Sequence, residues 1–294
     1  MKHSIFTGSA CALITPFTEN GENIDCALFE DLCEYQIQNG TDALVVAGTT
    51  GESPVLSKEE KRMLFRRAVN AADGRVPVIA GTGSNNTEDV VRKSNDAEKE
   101  GVNALLVVTP YYNKCTQEGL VKHYFHIADR VSTPIIVYNV PSRTGVNIQP
   151  ETYRALAEHK NIVAIKEANG DISAAAKTLA LCGDKLDVYS GNDDQTAAFL
   201  SLGGKGVISV AANIIPEVMH VMATDKDRCA ELQLEYLPLL NALFCEVNPI
   251  PVKAAFEMIT GKSQPLRLPL TTISDSHRNS FLQLLKSYSL VKQM

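Results

Sequence analysis

The chain lacks most of what marks a secreted, membrane or nucleic-acid-binding protein. Its 28 lysines and arginines are outnumbered by 34 acidic residues, a formal net charge of −6. Proteins that grip phosphate backbones carry a basic patch or stripe, so no nucleic-acid partner is expected. No apolar run approaches the roughly 18 residues that a membrane span needs. The run at residues 10–14 is short and meets Pro16, so neither an anchor nor a signal peptide is expected. No two of the seven cysteines are separated by two residues, which excludes a zinc knuckle and a thioredoxin-type pair. Cys11, Cys182 and Cys245 lie in apolar surroundings, and Cys26, Cys33 and Cys229 lie on helical stretches. Free thiols in a reducing cytoplasm are the plain reading. Cys115, in a loop, has no neighbour that would make it a nucleophile. Low-complexity tracts are absent, and internal repeats are not evident.

What is present is a globular composition. Of 294 residues, 45% are hydrophobic and 21% charged. A chain of this size buries a large core without disulfides or a structural metal.

Eight short apolar runs recur, at residues 9–14, 43–47, 76–80, 104–108, 135–138, 162–166, 186–190 and 206–210. They are rich in Val, Ile and Ala and mostly lack polar alternation. That pattern belongs to strands buried on both faces, as in a parallel sheet. Stretches of helical period separate them, including 25–39, 87–100, 116–130, 150–160, 171–181 and 193–202. Another opens at Ser57, with Glu60 three residues on, the spacing of a capping box. Eight alternations of strand and helix predict an α/β fold, a (β/α)8 TIM barrel. A doubly wound sheet usually shows a glycine-rich loop after its first strand. Here that loop reads Thr15-Pro16-Phe17. Beyond Pro216 only helical periods remain, which predicts a barrel over 1–224 and a small C-terminal helical domain of about three helices over 225–294.

In such a barrel the chemistry sits at the C-terminal ends of the strands. Lys166 ends the run Ile162-Val163-Ala164-Ile165-Lys166. An amine with apolar walls loses solvation, so part of it is neutral near pH 7. A neutral amine attacks a carbonyl and forms a Schiff base. Alone, the residue reads more readily as a lysine that snorkels to solvent or pairs with Glu167. Tyr138 ends the neighbouring strand and can relay protons, with Thr49 and Tyr112 as candidate partners. Each tyrosine alone reads as a half-buried core residue. Arg143, between Pro141 and Gly145, suits bidentate grip of a carboxylate, or is a surface charge. Thr49-Thr50, between two glycines, offers hydroxyls and backbone N–H groups to a second carboxylate, or is an ordinary turn.

Three signals are weak. Gly203-Gly204-Lys205-Gly206 lacks the Ser or Thr of a phosphate loop and reads as a tight turn. His123 and His126 share a helix without a third ligand, so they are read as solvent-facing rather than metal-binding. Lys253, after Pro249-Ile250-Pro251, is a rival lysine in an apolar context, outside the strands.

Together, Gly48-Thr49-Thr50-Gly51-Glu52, Thr109-Pro110-Tyr111-Tyr112-Asn113, Tyr138-Asn139-Val140-Pro141-Ser142-Arg143-Thr144-Gly145 and Ile165-Lys166-Glu167-Ala168 resemble the dihydrodipicolinate synthase family, within the pyruvate-dependent class I aldolases. The likeness runs on to Asn248-Pro249-Ile250-Pro251-Val252-Lys253 and Leu266-Arg267-Leu268-Pro269. It implies a lyase that condenses pyruvate with aspartate 4-semialdehyde on the route to diaminopimelate and lysine. Lys166 would form the Schiff base. Tyr138 would shuttle protons through Thr49 and Tyr112. Thr50 would hold the pyruvate carboxylate and Arg143 the semialdehyde carboxylate, with Gly191 and Ile208 lining the pocket. The resemblance implies no metal and no organic cofactor. It also implies a cytoplasmic homotetramer of tight dimers, in which Tyr112 reaches the neighbouring subunit's site.

One departure is visible. Lysine-inhibited members place histidines where this chain has Lys58 and Lys61, and commonly a glutamate where it has Asp89. Weak or absent inhibition by lysine is therefore expected. Two alternatives stay open. One is a sister aldolase, such as N-acetylneuraminate lyase or a 2-keto-3-deoxy sugar acid aldolase. The other is a barrel that senses a ligand without catalysis.

Overall fold

The computed structural model describes residues 4–291. Eight parallel strands close into a barrel in chain order: β1 (Gly8–Ala12), β2 (Ala43–Val46), β3 (Val78–Gly81), β4 (Ala104–Val108), β5 (Ile135–Asn139), β6 (Ile162–Glu167), β7 (Asp187–Ser190) and β8 (Gly206–Ser209). All eight expected strands form. The barrel closes where β8 pairs with β1, in register at Gly8 and Gly206. Both glycines are needed at this seam. A Cβ on Gly206 would lie 1.9 Å from the Gly8 carbonyl oxygen, and one on Gly8 would lie 2.1 Å from Asp42 Oδ2.

Around the barrel run α1 (Cys26–Gln38), α2 (Lys58–Ala72), α3 (Thr87–Glu98), α4 (Gln117–Ala128), the single turn α5 (Pro141–Thr144), α6 (Pro150–Leu156), α7 (Ile172–Cys182), α8 (Thr196–Ser201) and α9 (Pro216–Thr224). The expected capping box is present. Ser57 accepts from the Glu60 amide at 3.1 Å, and Glu60 accepts from the Ser57 amide at 2.7 Å. The stretch expected as one helix over 193–202 divides into a 3-10 turn, Asp193–Gln195, and α8. Asp193 explains the break. Its carboxylate accepts from the amides of Val210 and Ala211, which ties the turn to the end of β8. Residues 203–206 are the tight turn expected of them, with Gly204 N–H donating to Phe199 C=O at 2.8 Å.

Strand alternation sorts the side chains into two cores. Ala10, Ala12, Val45, Leu106, Ile136 and Ala164 fill the barrel. Their chain neighbours, such as Cys11, Leu44, Leu105, Val137 and Ile165, pack against the helices. At the N-terminal mouth Phe6 stacks on Tyr189 at 4.2 Å, and the Tyr189 hydroxyl donates to the Phe6 carbonyl at 2.7 Å. Three further helices follow: α10 (Cys229–Ala242), α11 (Ile250–Thr260) and α12 (Asp275–Ser287). Leu239, Leu240, Phe281 and Leu285 join the outer core, so these helices pack on the barrel layer.

His123 corrects an expectation. It is buried between α4 and α3, not solvent-facing, and its Nδ1 lies 2.9 Å from the Thr87 hydroxyl. Its Nε2 has no partner among the described residues. Burial pushes its pKa down to about 4, helped by His126, which itself pairs with Glu88. The described residues contain no cluster of three or more metal-ligating side chains. An unfolded histidine takes up its proton below about pH 6.5. The folded chain resists protonation, so His123 adds stability above pH 6.5 that is lost as pH falls towards 4. The loss is of order 3 kcal/mol. Denaturant melts from pH 7 to 4 should show it, and His123→Phe should flatten that part of the profile. An unchanged profile in the variant would assign the acid sensitivity elsewhere.

Candidate active site

The C-terminal ends of the strands open on a cavity of about 170 Å³ lined by Thr49, Thr50, Tyr138, Arg143, Lys166 and Gly191. Alternation puts Lys166 there. It shares the barrel interior with Ala164, whereas Ile165 and Glu167 face the helices. Tyr138 pairs in register with Lys166 across β5 and β6, and the Lys166 Nζ lies 4.5 Å from the centre of the Tyr138 ring. Nζ has no hydrogen-bond or ion-pair partner among the described residues.

The electrostatics favour a usable amine. Burial lowers the Lys166 pKa to about 8, Asp193 pulls it up, and Arg143 pushes it down. Roughly a tenth of such an amine is neutral at pH 7. Burial raises the Tyr138 phenol, opposed by the Arg143 charge and by the neighbouring Thr49 hydroxyl.

The roof of the cavity comes from the segment between α10 and α11. Phe244 and Asn248 line it. Asn248 Nδ2 donates to the Thr50 hydroxyl at 3.0 Å, and the Asn248 carbonyl accepts from Arg143 Nη2 at 3.1 Å. One residue thus joins the two candidate carboxylate binders. Gly191 lies at the wall, where a Cβ would come within 2.7 Å of Ala168 Cβ and 3.1 Å of Lys166 Cε. A larger residue there would crowd the amine.

Two expected residues lie apart. Ile208 is fully buried in the barrel interior and does not line the cavity. Tyr112 is 88% exposed, in a left-handed backbone conformation with φ of 73°, and stands outside the cavity. Lys253, the rival lysine, is fully buried but spent. Its ammonium donates to Thr15 C=O, Glu52 Oε1 and Pro265 C=O at 3.0, 2.7 and 2.7 Å.

Sequence reasoning missed three contributors. Asn248 meets Thr50 across 198 positions of chain, a meeting that no local pattern announces. Asp193 lies just past the β7 end, so its place was visible, but its charge effect on Lys166 was not. Glu167 accepts from Asn139 Nδ2 at 2.9 Å and from the Tyr153 hydroxyl at 2.7 Å. Burial pushes its pKa up to about 7. This network fixes the strand end that carries Lys166 from behind.

Comparison with known proteins places this geometry. The model of the Dihydrodipicolinate synthetase family matches residues 5–288. The chain belongs to that family. A relative from Clostridium acetobutylicum, named 4-hydroxy-tetrahydrodipicolinate synthase 1, is 52% identical over 98% of this chain and 100% of its own. The crystal structure of dihydrodipicolinate synthase from Thermotoga maritima superposes with a TM-score of 0.95 at 44% identity, covering 98% of this chain and 100% of that one. The Acinetobacter baumannii family member, solved in complex with pyruvate, gives 0.95 at 40% identity over the same shares. Among the described residues no helix is long and apolar enough to cross a membrane.

The burial of Lys166 sets a measurable titration. Competitive labelling with an amine reagent across pH 6–10 should give Lys166 a midpoint near 8, while solvent lysines titrate near 10.5 and Lys253 stays unlabelled. A Lys166 midpoint above 10 would refute the desolvated site.

Proposed function

We propose that this chain catalyses the Schiff-base condensation of pyruvate with L-aspartate 4-semialdehyde to 4-hydroxy-tetrahydrodipicolinate, a step of lysine and diaminopimelate biosynthesis. The observation that carries the proposal is a buried lysine amine, unpaired among the described residues, against a tyrosine and under a roof that joins a threonine hydroxyl to an arginine.

Neutral Lys166 attacks the ketone carbon of pyruvate. The adduct loses water and becomes an iminium ion. Removal of a methyl proton gives the enamine, whose carbon attacks the aldehyde of the second substrate. The substrate's own amine then displaces Lys166 and closes the ring. Tyr138 passes protons, paired with Thr49 and relayed through Tyr112. Thr50 holds the pyruvate carboxylate. Arg143 holds the semialdehyde carboxylate, a planar group that suits its fork of donors. Gly191 leaves room for the amine, and Ile208 supports the pocket floor from the barrel interior.

The relay is incomplete within one chain, because Tyr112 points to solvent. A second copy therefore supplies it, in a tight dimer that pairs again into a homotetramer. No disulfide joins the cysteines among the described residues, which fits a reducing cytoplasm.

Incubation with pyruvate and borohydride should add one reduced pyruvate to the peptide that holds Lys166. No adduct would favour a ligand-sensing barrel, and an adduct without turnover of aspartate 4-semialdehyde would favour a sister aldolase. Mixed subunits test the shared site. Lys166→Ala and Tyr112→Phe proteins, each nearly inactive, should recover activity on subunit exchange, up to about a quarter of wild type if each mixed dimer keeps one intact site of two and half the dimers are mixed. Exchange without recovery would keep Tyr112 within its own chain's site.

A further inference from the structure

The segment between α10 and α11 supplies both roof residues of the substrate pocket, Phe244 and Asn248. Asn248 donates to Thr50 and accepts from Arg143, so its position bears on both. Glu246 lies between the two roof residues in the chain, does not line the cavity, and engages the start of α12 instead. Three donors converge on its Oε1: the Ser274 amide at 3.0 Å, the Ser274 hydroxyl at 2.7 Å and His277 Nδ1 at 2.7 Å. They hold the Glu246 carboxyl below its ordinary pKa, the Ser274 hydroxyl most and His277 next. A carboxylate only accepts, so His277 carries a proton on Nδ1.

Ser274 serves this contact rather than its own helix. It stands at the cap position of α12, where a serine side chain ordinarily accepts from an amide of the first turn. Here the side chain makes no capping bond. α12 itself is well seated. Phe281 and Leu285 are buried in the outer core, and Arg278 pairs with Glu257 of α11 at 2.9 Å. The roof segment is more open, with Phe244 46% and Val247 54% exposed. Among the described residues, the bonds to Glu246 are the segment's only hydrogen bonds to α12 and its cap.

We propose that Glu246 is a positioning residue that latches the pocket roof to α12 and thereby keeps the two carboxylate binders, Thr50 and Arg143, in place around the cavity. Its effect passes through Asn248, two residues on. Lys166 and Tyr138 stand on β6 and β5, which the latch does not touch. The latch therefore governs substrate binding more than the chemistry at the amine. The kinetic consequence rests on the condensation proposed above, whereas the latch itself does not.

Two measurements on the whole protein test it. Hydrogen exchange over residues 243–249 needs no substrate. Losing charge-assisted bonds to Glu246 should raise exchange there about tenfold in Glu246→Ala, with the peptides of β5 and β6 unchanged. Kinetics then read the site. Glu246→Ala should raise, each about tenfold, the KM for aspartate 4-semialdehyde and the pyruvate concentration for half-maximal borohydride trapping, with kcat changed about threefold or less. Glu246→Gln keeps an acceptor for Ser274 and should recover most of the loss. Ser274→Ala, which keeps the amide and His277, should fall between. In an Arg143→Ala background, Glu246→Ala should no longer move the semialdehyde KM, because both changes act through one contact.

Thermal melts establish that the variants fold. Should Glu246→Ala not fold, Ser274→Ala, at an exposed position, decides by the same criteria. Three outcomes overturn the proposal: roof exchange equal to wild type, unmoved half-saturation for both substrates, or a fall in kcat alone, which is what partial unfolding gives. A wild-type protein that neither traps pyruvate nor turns over the semialdehyde defeats the condensation instead, and the exchange result then decides the latch.

Discussion

A fully buried ion pair between Lys253 and Glu52 holds the site together. Glu52 ends the Gly48–Glu52 loop in a left-handed conformation, φ 55°. Its other carboxylate oxygen accepts from the Arg267 amide at 3.1 Å. Arg267 and Lys253 both lie over the Phe17 ring, at 4.2 and 4.4 Å, and Arg267 continues to Glu60 and to the carbonyls of Gly21 and Val55. Loop, first strand exit, α2 and α11 meet at this point. Burial lowers the Lys253 pKa and the Glu52 charge opposes that fall. Such pairs add little net stability over apolar packing, but losing one partner strands a charge and costs about 3–5 kcal/mol. What the pair secures is position. It fixes where Thr50 and Asn248 meet.

The site then follows from two opposing burials. Lys166 is desolvated on the inner face of β6, without a partner among the described residues, and its amine is pushed towards the neutral form. Glu167, one residue on, is desolvated on the outer face, with Asn139, Tyr153 and the Asn169 amide as partners, and becomes a structural anchor. The same strand end carries the proposed nucleophile and its clamp because successive side chains face opposite ways. Asp193 completes the field. It binds the amides after β8, and its charge raises the Lys166 pKa against burial, so the amine stays near 8.

The sequence was legible where physics is local. Apolar runs of five or so residues in helical surroundings leave few folds other than a barrel, and all eight strands formed. The end of the 162–166 run announced Lys166, and the neighbouring run announced Tyr138. Legibility failed where side chains from distant segments meet. Lys253 and Lys166 are both lysines beside apolar residues. Only three-dimensional packing shows that three acceptors engage one and none of the described residues engages the other. His123 reads as a solvent-facing residue when no third metal ligand accompanies it, yet α3 covers it.

Sequence alone therefore determined the alternation of strand and helix, the face each strand residue takes, and the identity of the groups at the strand ends. These depend on residue type and on periods of two and 3.6, which are short-range properties. Tertiary structure decided which groups share a cavity, which charges find partners, and which do not. Asn248 roofs Thr50 from 198 positions away, and Asp89 and Asp96 each engage two cations drawn from α2 and α3 or their ends. Those outcomes depend on distances that only the closed barrel and its docked helices establish, since electrostatic energy and desolvation fall within a few ångströms of contact.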